Sequence, residues 1–316
     1  MIALVGYGYW GKNLARVFKD KLKYIIDKEE DALNKAKHDC GKDVYYDRSL
    51  TNVLKTDKSI KAVLIATKPE SHLDIAKLCL KYNKHIWIEK PICATYEEAL
   101  ELQEYHNKVN NRLRVMVDHT FLFHPAINKL SSIDIGEPLY YDSHRISLGL
   151  FQKDVDVVKD LAIHDLAIIK HLYPLMQLKK KTIVKHNHVN KMDNQAILCL
   201  EFEQGGVKKK KFTATINCNW VSPVKKREII LTGTKKSVIY DDIDINKIKI
   251  YNTGKIGEDY NINQLGDMKS PKLDTSEALV MGKRNFLECI ENECKPMTSD
   301  LNFSVDLMRW IDDTIL

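Results

Sequence analysis

Gly6-Tyr7-Gly8-Tyr9-Trp10-Gly11 stands directly behind a short apolar run, Ile2–Val5, and directly ahead of a helical stretch from Trp10 to about Asp20. Glycines at this spacing constrain the chain more than any other feature it carries. The first permits a tight turn out of a strand, and the second lets a ligand approach the backbone. The third lets the following helix pack close against the strand. The helix start then offers unpaired backbone N–H groups to phosphate. Gly6, Gly8, Tyr9, Trp10 and Gly11 are therefore the expected contacts of a dinucleotide pyrophosphate. Asp27 ends the next apolar run, Tyr24-Ile25-Ile26, where a carboxylate hydrogen-bonds the adenosine ribose. That carboxylate repels a 2′-phosphate and no Arg follows it, so NAD is expected in preference to NADP, with Lys28 the one neighbour that offsets it.

The strand–helix alternation continues through residue 118. Val44–Tyr46, Ala62–Ala66, His85–Ile88 and Arg114–Val117 are further strands, with helices expected from about Glu29, from Pro69 to about Tyr82 and over Tyr96–Val109. Continuous apolar strands between helices indicate a parallel sheet covered on both faces. From Leu139 the strands lengthen and alternate: Leu139–Ser147, Gln195–Glu203, Lys210–Trp220, Glu228–Thr232, Ser237–Tyr240 and Lys247–Tyr251. Gly205-Gly206 marks a hairpin, Val157–Leu172 and Glu277–Glu293 are helices, and residues 253–275 form a long loop. The fold class is α/β. A doubly wound Rossmann domain over 1–118 precedes an α/β domain over 119–316 with an open, largely antiparallel sheet.

Composition narrows the function. The chain has 316 residues, 44% hydrophobic and 29% charged, which suits a globular protein with a full core. No apolar run approaches the roughly 18 residues of a membrane span, and the N-terminus reads as a first strand, not a secretory signal. No membrane or nucleic-acid partner is expected, because the net charge of +6 is a diffuse Lys excess with few Arg. The clusters Lys179–Lys181 and Lys208–Lys211 fall in apparent turns. Cys40, Cys79, Cys93, Cys199, Cys218, Cys289 and Cys294 show no C-x-x-C spacing and read as reduced core residues of a cytoplasmic protein. His186-Asn187-His188 has no ligand partner at metal spacing, so no metal is expected.

Three separated motifs resemble the glucose–fructose oxidoreductase / inositol dehydrogenase (Gfo/Idh/MocA) family. They are Ile65-Ala66-Thr67-Lys68-Pro69-Glu70-Ser71-His72, then Glu89-Lys90-Pro91, then Asp160-Leu161-Ala162-Ile163-His164-Asp165-Leu166. The resemblance spans essentially the whole chain, in the family's order. It implies that Thr67, Pro69 and His72 line the cofactor, that Glu89 and Lys90 approach the nicotinamide ribose, and that the Lys90–Pro91 peptide is cis. It also implies a homodimer or homotetramer joined through the outer face of the C-terminal sheet. Gly11–Leu14, Asp118-His119-Thr120-Phe121, Arg145 with Leu148-Gly149, and Asn219–Lys225 are similar to members acting on nucleotide-linked sugars. Those members include 3-dehydrogenases and 3-ketoreductases on routes to sugars of bacterial surface polysaccharides.

Oxidising a secondary alcohol requires a base for the hydroxyl proton and a hydride acceptor close to the carbon. Asp160 and His164 are four apart, on one face of a helix, so the carboxylate can orient the imidazole. His164 or Lys90 moves the proton, and both touch substrate. Arg145 is the expected anion contact, His119 a cofactor neighbour, His124 a packing residue and Asp165 a structural one. The expectation is an NAD-dependent sugar oxidoreductase acting on a nucleotide-linked hexose. The alternatives are a dehydrogenase of a free sugar or inositol, and a non-catalytic nucleotide-binding sensor or scaffold.

Overall fold

The computed structural model describes residues 1–149, 151–189, 191–205, 210–252, 266–296 and 298–312. The chain divides into two compact units, one of residues 1–123 with 277–312, the other of residues 124–276.

The first unit alternates β1 (Ile2–Val5), α1 (Tyr9–Val17), β2 (Leu22–Ile26), α2 (Glu30–Cys40), β3 (Tyr45–Asp47), α3 (Leu50–Thr56), β4 (Ala62–Ile65), α4 (His72–Lys81), β5 (His85–Ile88), α5 (Tyr96–Val109) and β6 (Val115–Val117). All neighbours are parallel, in the order β3-β2-β1-β4-β5-β6, which is the doubly wound dinucleotide topology. β1 and β4 are buried along their whole length, so their apolar runs are continuous where a half-exposed strand would alternate. Ser49 and Thr95 cap α3 and α5 by accepting from the N–H groups of Asn52 and Glu98. The short helix α3 was not visible as a periodic pattern.

Residues 277–312 depart from the expected division at 118/119. They form α8 (Ala278–Glu291) and α9 (Leu301–Ile311), and both belong to the first unit. The reason is packing. Trp87 on β5 meets Phe18 edge-on at 5.5 Å and Phe286 of α8 at 5.7 Å. Gly282 lies so close to Trp87 and Phe123 that an added Cβ would stand 2.9 Å and 3.1 Å from their rings. β6 is held from outside by α9's approach, where the Val117 N–H donates to Ser299 O at 2.9 Å.

The second unit contains α6 (Pro125–Ser131), β7 (Pro138–Leu148), a π-helical turn at Val158–Ala162 continuing as α7 (Ile163–Leu172), β8 (Gln177–His186), β9 (Gln195–Gln204), β10 (Lys210–Asn219), β11 (Val221–Gly233), β12 (Lys236–Asp241), β13 (Ile248–Asn252) and β14 (Met268–Lys269). Its sheet runs β14-β13-β12-β11-β7-β10-β9-β8, antiparallel except for the β7–β10 pair. Along β9, Ala196, Leu198, Leu200 and Phe202 are buried while Ile197, Cys199 and Glu201 are exposed, the period-two signature of one covered face.

Several local expectations change here. Lys179–Lys181 lie in β8, the edge strand, where exposed Lys blunts pairing with another sheet. Lys210 and Lys211 open β10, and Lys208 and Lys209 lie outside the described residues. Gln204 pairs with Lys210 across the expected hairpin, whose Gly206 is likewise outside them, as are residues 253–265 of the long loop. Cys79, Cys93, Cys218 and Cys289 are buried and Cys40 is half-buried, but Cys199 and Cys294 are exposed; all seven are free thiols.

The largest correction concerns Arg145. The residue is only 4% exposed and faces the sheet's covered side, not solvent. Asp165 of α7 accepts from Arg145 Nε at 2.7 Å, Tyr141 Oη at 2.9 Å and Ser143 Oγ at 2.7 Å. Arg145 thus answers a buried carboxylate and is not placed as an anion contact, while Asp165 has the structural role expected of it.

Two outcomes follow for stability. Asp165→Ala strands the Arg145 charge in the core and is expected to cost about 3–5 kcal/mol in denaturant melts. In the first unit, burial pushes His85 down to about 4, helped by Arg114 and Lys61, and His119 down to about 3, helped by Lys90. Both rings fold neutral, and His85 Nδ1 accepts from the Arg114 N–H at 2.9 Å. Their folded values are depressed, so their contribution is complete above pH 6.5 and is lost as the pH falls toward those values. Each ring should steepen the acid limb by up to about 1.4 kcal/mol per pH unit. Thermal melts from neutral to acid pH check this, with His85→Asn, which keeps an acceptor, expected to flatten the slope.

Candidate active site

The glycine turn is built around two close backbone approaches. Gly6 has φ +91°, and a Cβ there would sit 2.5 Å from Ala66 O. A Cβ on Gly11 would sit 2.1 Å from Gly6 O, so only glycine lets α1 start this near β1. Gly8 differs: nothing lies within 4 Å of its Cβ position. That open space sits at the α1 N-terminus, which Gly8 caps without any side chain bonding to it. Free helix-start N–H groups beside an open glycine fit a pyrophosphate. Tyr9 is 78% exposed and stacks edge-on with Trp10 at 5.9 Å, so both expected contacts stand at the mouth of this turn.

Asp27 follows β2 and is half-buried. Its Oδ2 accepts from the Tyr7 N–H at 2.7 Å and its Oδ1 from the Glu29 N–H at 3.0 Å. Each carboxylate oxygen keeps a second acceptor site, so the pair suits two ribose hydroxyls. Arg48 adds something the linear sequence hid. It leaves β3, which pairs with β2, and its Nη2 donates to Lys28 O at 2.7 Å. No Arg follows Asp27 in sequence, yet one stands beside it across the sheet.

After β4, Thr67 is half-buried and its Oγ1 accepts from Ser71 Oγ at 2.8 Å, while Pro69 is buried. His72 is fully buried, with its ring nitrogens 3.0 Å from both Thr67 O and Pro91 O. A neutral ring donates to one of them at a time. His72 therefore braces the turns after β4 and β5 and does not itself line the open cradle. After β5 come buried Glu89, half-buried Lys90 and buried Pro91, and the Lys90–Pro91 peptide is cis. Gly6, Asp27, Thr67, Glu89 and Lys90 all follow C-terminal strand ends, the edge where α/β sheets take ligands.

His119 follows β6 but is only 1% exposed, and its Nε2 meets Ser304 Oγ of α9 at 3.2 Å, so its ring is packed in the core. Asp118, one residue past β6, is a buried acid beside the end of β5. It is fully buried, and burial pushes its carboxyl up to about 6, although Thr120 Oγ1 donates to its Oδ1 at 2.8 Å. Burial and the Asp118 charge raise Glu89 well above the usual carboxylate range. A lone acid one residue past a strand was the available signal.

In the second unit, Asp160 sits in the π turn and His164 in the first turn of α7. The expected single helix from Val157 to Leu172 is thus split, and i→i+5 bonding widens the turn that separates the two residues. Trp220 Nε1 donates to Asp160 Oδ2 at 3.2 Å, which fixes that carboxylate. His164 is half-buried. His124 packs on Tyr240 with ring centres 6.3 Å apart, as a packing residue should. His186 and His188 stack at 5.7 Å, and no group of three or more metal-ligating side chains occurs among the described residues.

Residues 1–119 match the family described as "Oxidoreductase family, NAD-binding Rossmann fold" (GFO_IDH_MocA). A UDP-N-acetylglucosamine 3-dehydrogenase from Acidithiobacillus ferrooxidans is 34% identical over 112 residues, so the aligned part spans about a third of either protein, 34% of each. A scyllo-inositol 2-dehydrogenase (NAD(+)) from Bacillus subtilis is 22% identical over 79% of this chain and 73% of its own. Among solved structures, UDP-N-acetylglucosamine 3-dehydrogenase from A. ferrooxidans superposes with a TM-score of 0.82 at 20% identity, covering 97% of this chain and 93% of that one. That likeness shows a shared fold across both units. The match to the Gfo/Idh/MocA oxidoreductase family thus lies in the glycine-turn domain, residues 1–119.

Proposed function

We propose that the chain is an NAD-dependent enzyme that moves a hydride between nicotinamide and a secondary alcohol or ketone of a sugar, at C3 of a nucleotide-linked hexose. The observation that carries the cofactor part is the open Gly8 position at the bare start of α1, with Asp27 presenting two acceptor oxygens at the end of β2. Gly6, Gly8, Tyr9, Trp10 and Gly11 hold the pyrophosphate, Asp27 the adenosine ribose, and Thr67 and Pro69 the segment beyond. Glu89 and Lys90 address the nicotinamide ribose. Asp27 favours NAD, and Arg48 with Lys28 sets how strongly a 2′-phosphate is rejected. The bound nicotinamide supplies the hydride acceptor or donor.

The chain's own residues manage the proton. Lys90 or His164 takes it from the substrate hydroxyl during oxidation and returns it during reduction. Asp160, held by Trp220, orients His164 and favours its cationic form. With Arg145 engaged by Asp165, the substrate's charged part needs other partners. The sugar-nucleotide reading draws on the dehydrogenase with 34% identity, while the inositol enzyme aligned over 79% of the chain favours a free polyol as the second reading. Exposed Tyr140, Val184 and Ile197 on the sheet's outer face suit a homodimer or homotetramer contact, and seven free thiols suit a reducing cytoplasm.

Calorimetric titration with NAD and NADP tests the cofactor, and tighter NADP binding would overturn the NAD assignment. Nicotinamide absorbance over UDP-sugars, TDP-sugars, free hexoses and inositols tests the substrate. Lys90→Ala and His164→Ala are each expected to lower kcat by about 10²- to 10⁴-fold. Unchanged turnover in both variants would remove them from the chemistry.

A further inference from the structure

Glu89 and Asp118 leave the sheet side by side. Ile88 of β5 lies opposite Val117 of β6, and the Asp118 N–H donates to Ile88 O at 2.8 Å. The two carboxyls are 6% and 1% exposed, and the Asp118 charge adds to burial in raising Glu89. Ionised carboxylates only accept, so neither can satisfy the other. Correspondingly, Glu89 Oε1 and Asp118 Oδ2 are each buried without a partner, while Asp118 Oδ1 accepts from Thr120 Oγ1 at 2.8 Å. One proton held between the two acids supplies the missing donor and relieves the repulsion of like charges.

Their surroundings agree. Lys90 is the nearby cation and pulls both carboxyls downward against burial. The Trp87 indole faces Asp118, His119 is buried and neutral, and Asp300, opposite Met116, turns its carboxylate to the Phe303 N–H. We propose that Glu89 and Asp118 share one proton and that this buried acid pair makes nicotinamide-nucleotide binding proton-linked. The linkage rests on the proposed function, which sets the end of β5 against the nicotinamide ribose.

The sign follows from charge. A pair that shares one proton carries a charge of −1, and a second proton taken up in acid brings it to 0, with Asp118 near 6 marking that range. The oxidised nicotinamide ring is cationic and favours the −1 form; the reduced ring is neutral and does not. Near pH 6, oxidised nucleotide should therefore release up to one proton on binding, and its affinity should fall by up to tenfold per pH unit toward acid.

Two measurements on the full chain test this. First, carboxyl ¹³C titration of the nucleotide-free protein should find one protonated acid at neutral pH. Asp118→Asn should lower the titration midpoint of Glu89 by more than about one pH unit, a tenfold change in proton affinity. No protonated carboxyl in the unmutated chain overturns the shared proton, whether or not the variant folds. Second, calorimetry near pH 6 in two buffers of different ionisation enthalpy should show proton release with NAD⁺ and none with NADH. Clear binding with identical heats in both buffers overturns the linkage and leaves the proposed function standing. Absence of any nucleotide binding overturns the function and the linkage together, while the shared proton is still decided by the first measurement.

Discussion

Two backbone segments cross at Gly6 and Gly11 with no room between them for a methyl group. That crossing places the start of α1 beside the C-terminal end of β1, and the parallel register carries the same edge across β2, β4, β5 and β6. Every residue assigned to the nucleotide follows one of these strands or opens α1. The site is thus a consequence of sheet geometry, because parallel strands end together and their helix-start N–H groups face the same way.

Burial then decides which polar groups act and which merely hold the fold. Asp165 and Arg145 neutralise each other inside the second unit, with Tyr141 and Ser143 completing the carboxylate's bonds. His72 and His119 are locked inside the first unit, one between two turns and one against α9. Glu89 and Asp118 are buried too, but Glu89 Oε1 and Asp118 Oδ2 find no donor there, which is the ground for the shared proton proposed above. The same depth gives opposite consequences because the hydrogen-bond inventories differ.

Much of this was legible in the residues. The glycine turn, Asp27, strands β1, β4 and β5, and helix α5 follow from short-range patterns, and His85–Ile88 and Tyr96–Val109 match to the residue. The motifs around Pro69 and Lys90 fall at the C-terminal ends of β4 and β5, and the Asp160 motif falls on the π turn and α7. Misreadings cluster where a side chain's partner is remote in sequence. Arg145 looked like an anion contact because Asp165 is twenty residues away, and the Lys run of β8 looked like a turn because its sheet edge is a tertiary property. Arg48 escaped notice because β3 brings it beside Lys28 only through strand pairing.

By itself, the sequence determined the class of the first domain, the dinucleotide edge and the residue types available for proton transfer. These depend on local spacing, and local spacing fixes turns, strand periods and helix starts. The tertiary structure alone decided that residues 277–312 return to the first unit, that Asp160 occupies a π turn, and that Glu89 and Asp118 leave adjacent strands into the interior. Each of these depends on which side chains share a buried volume, and burial sets charge state through solvation, which no linear spacing encodes.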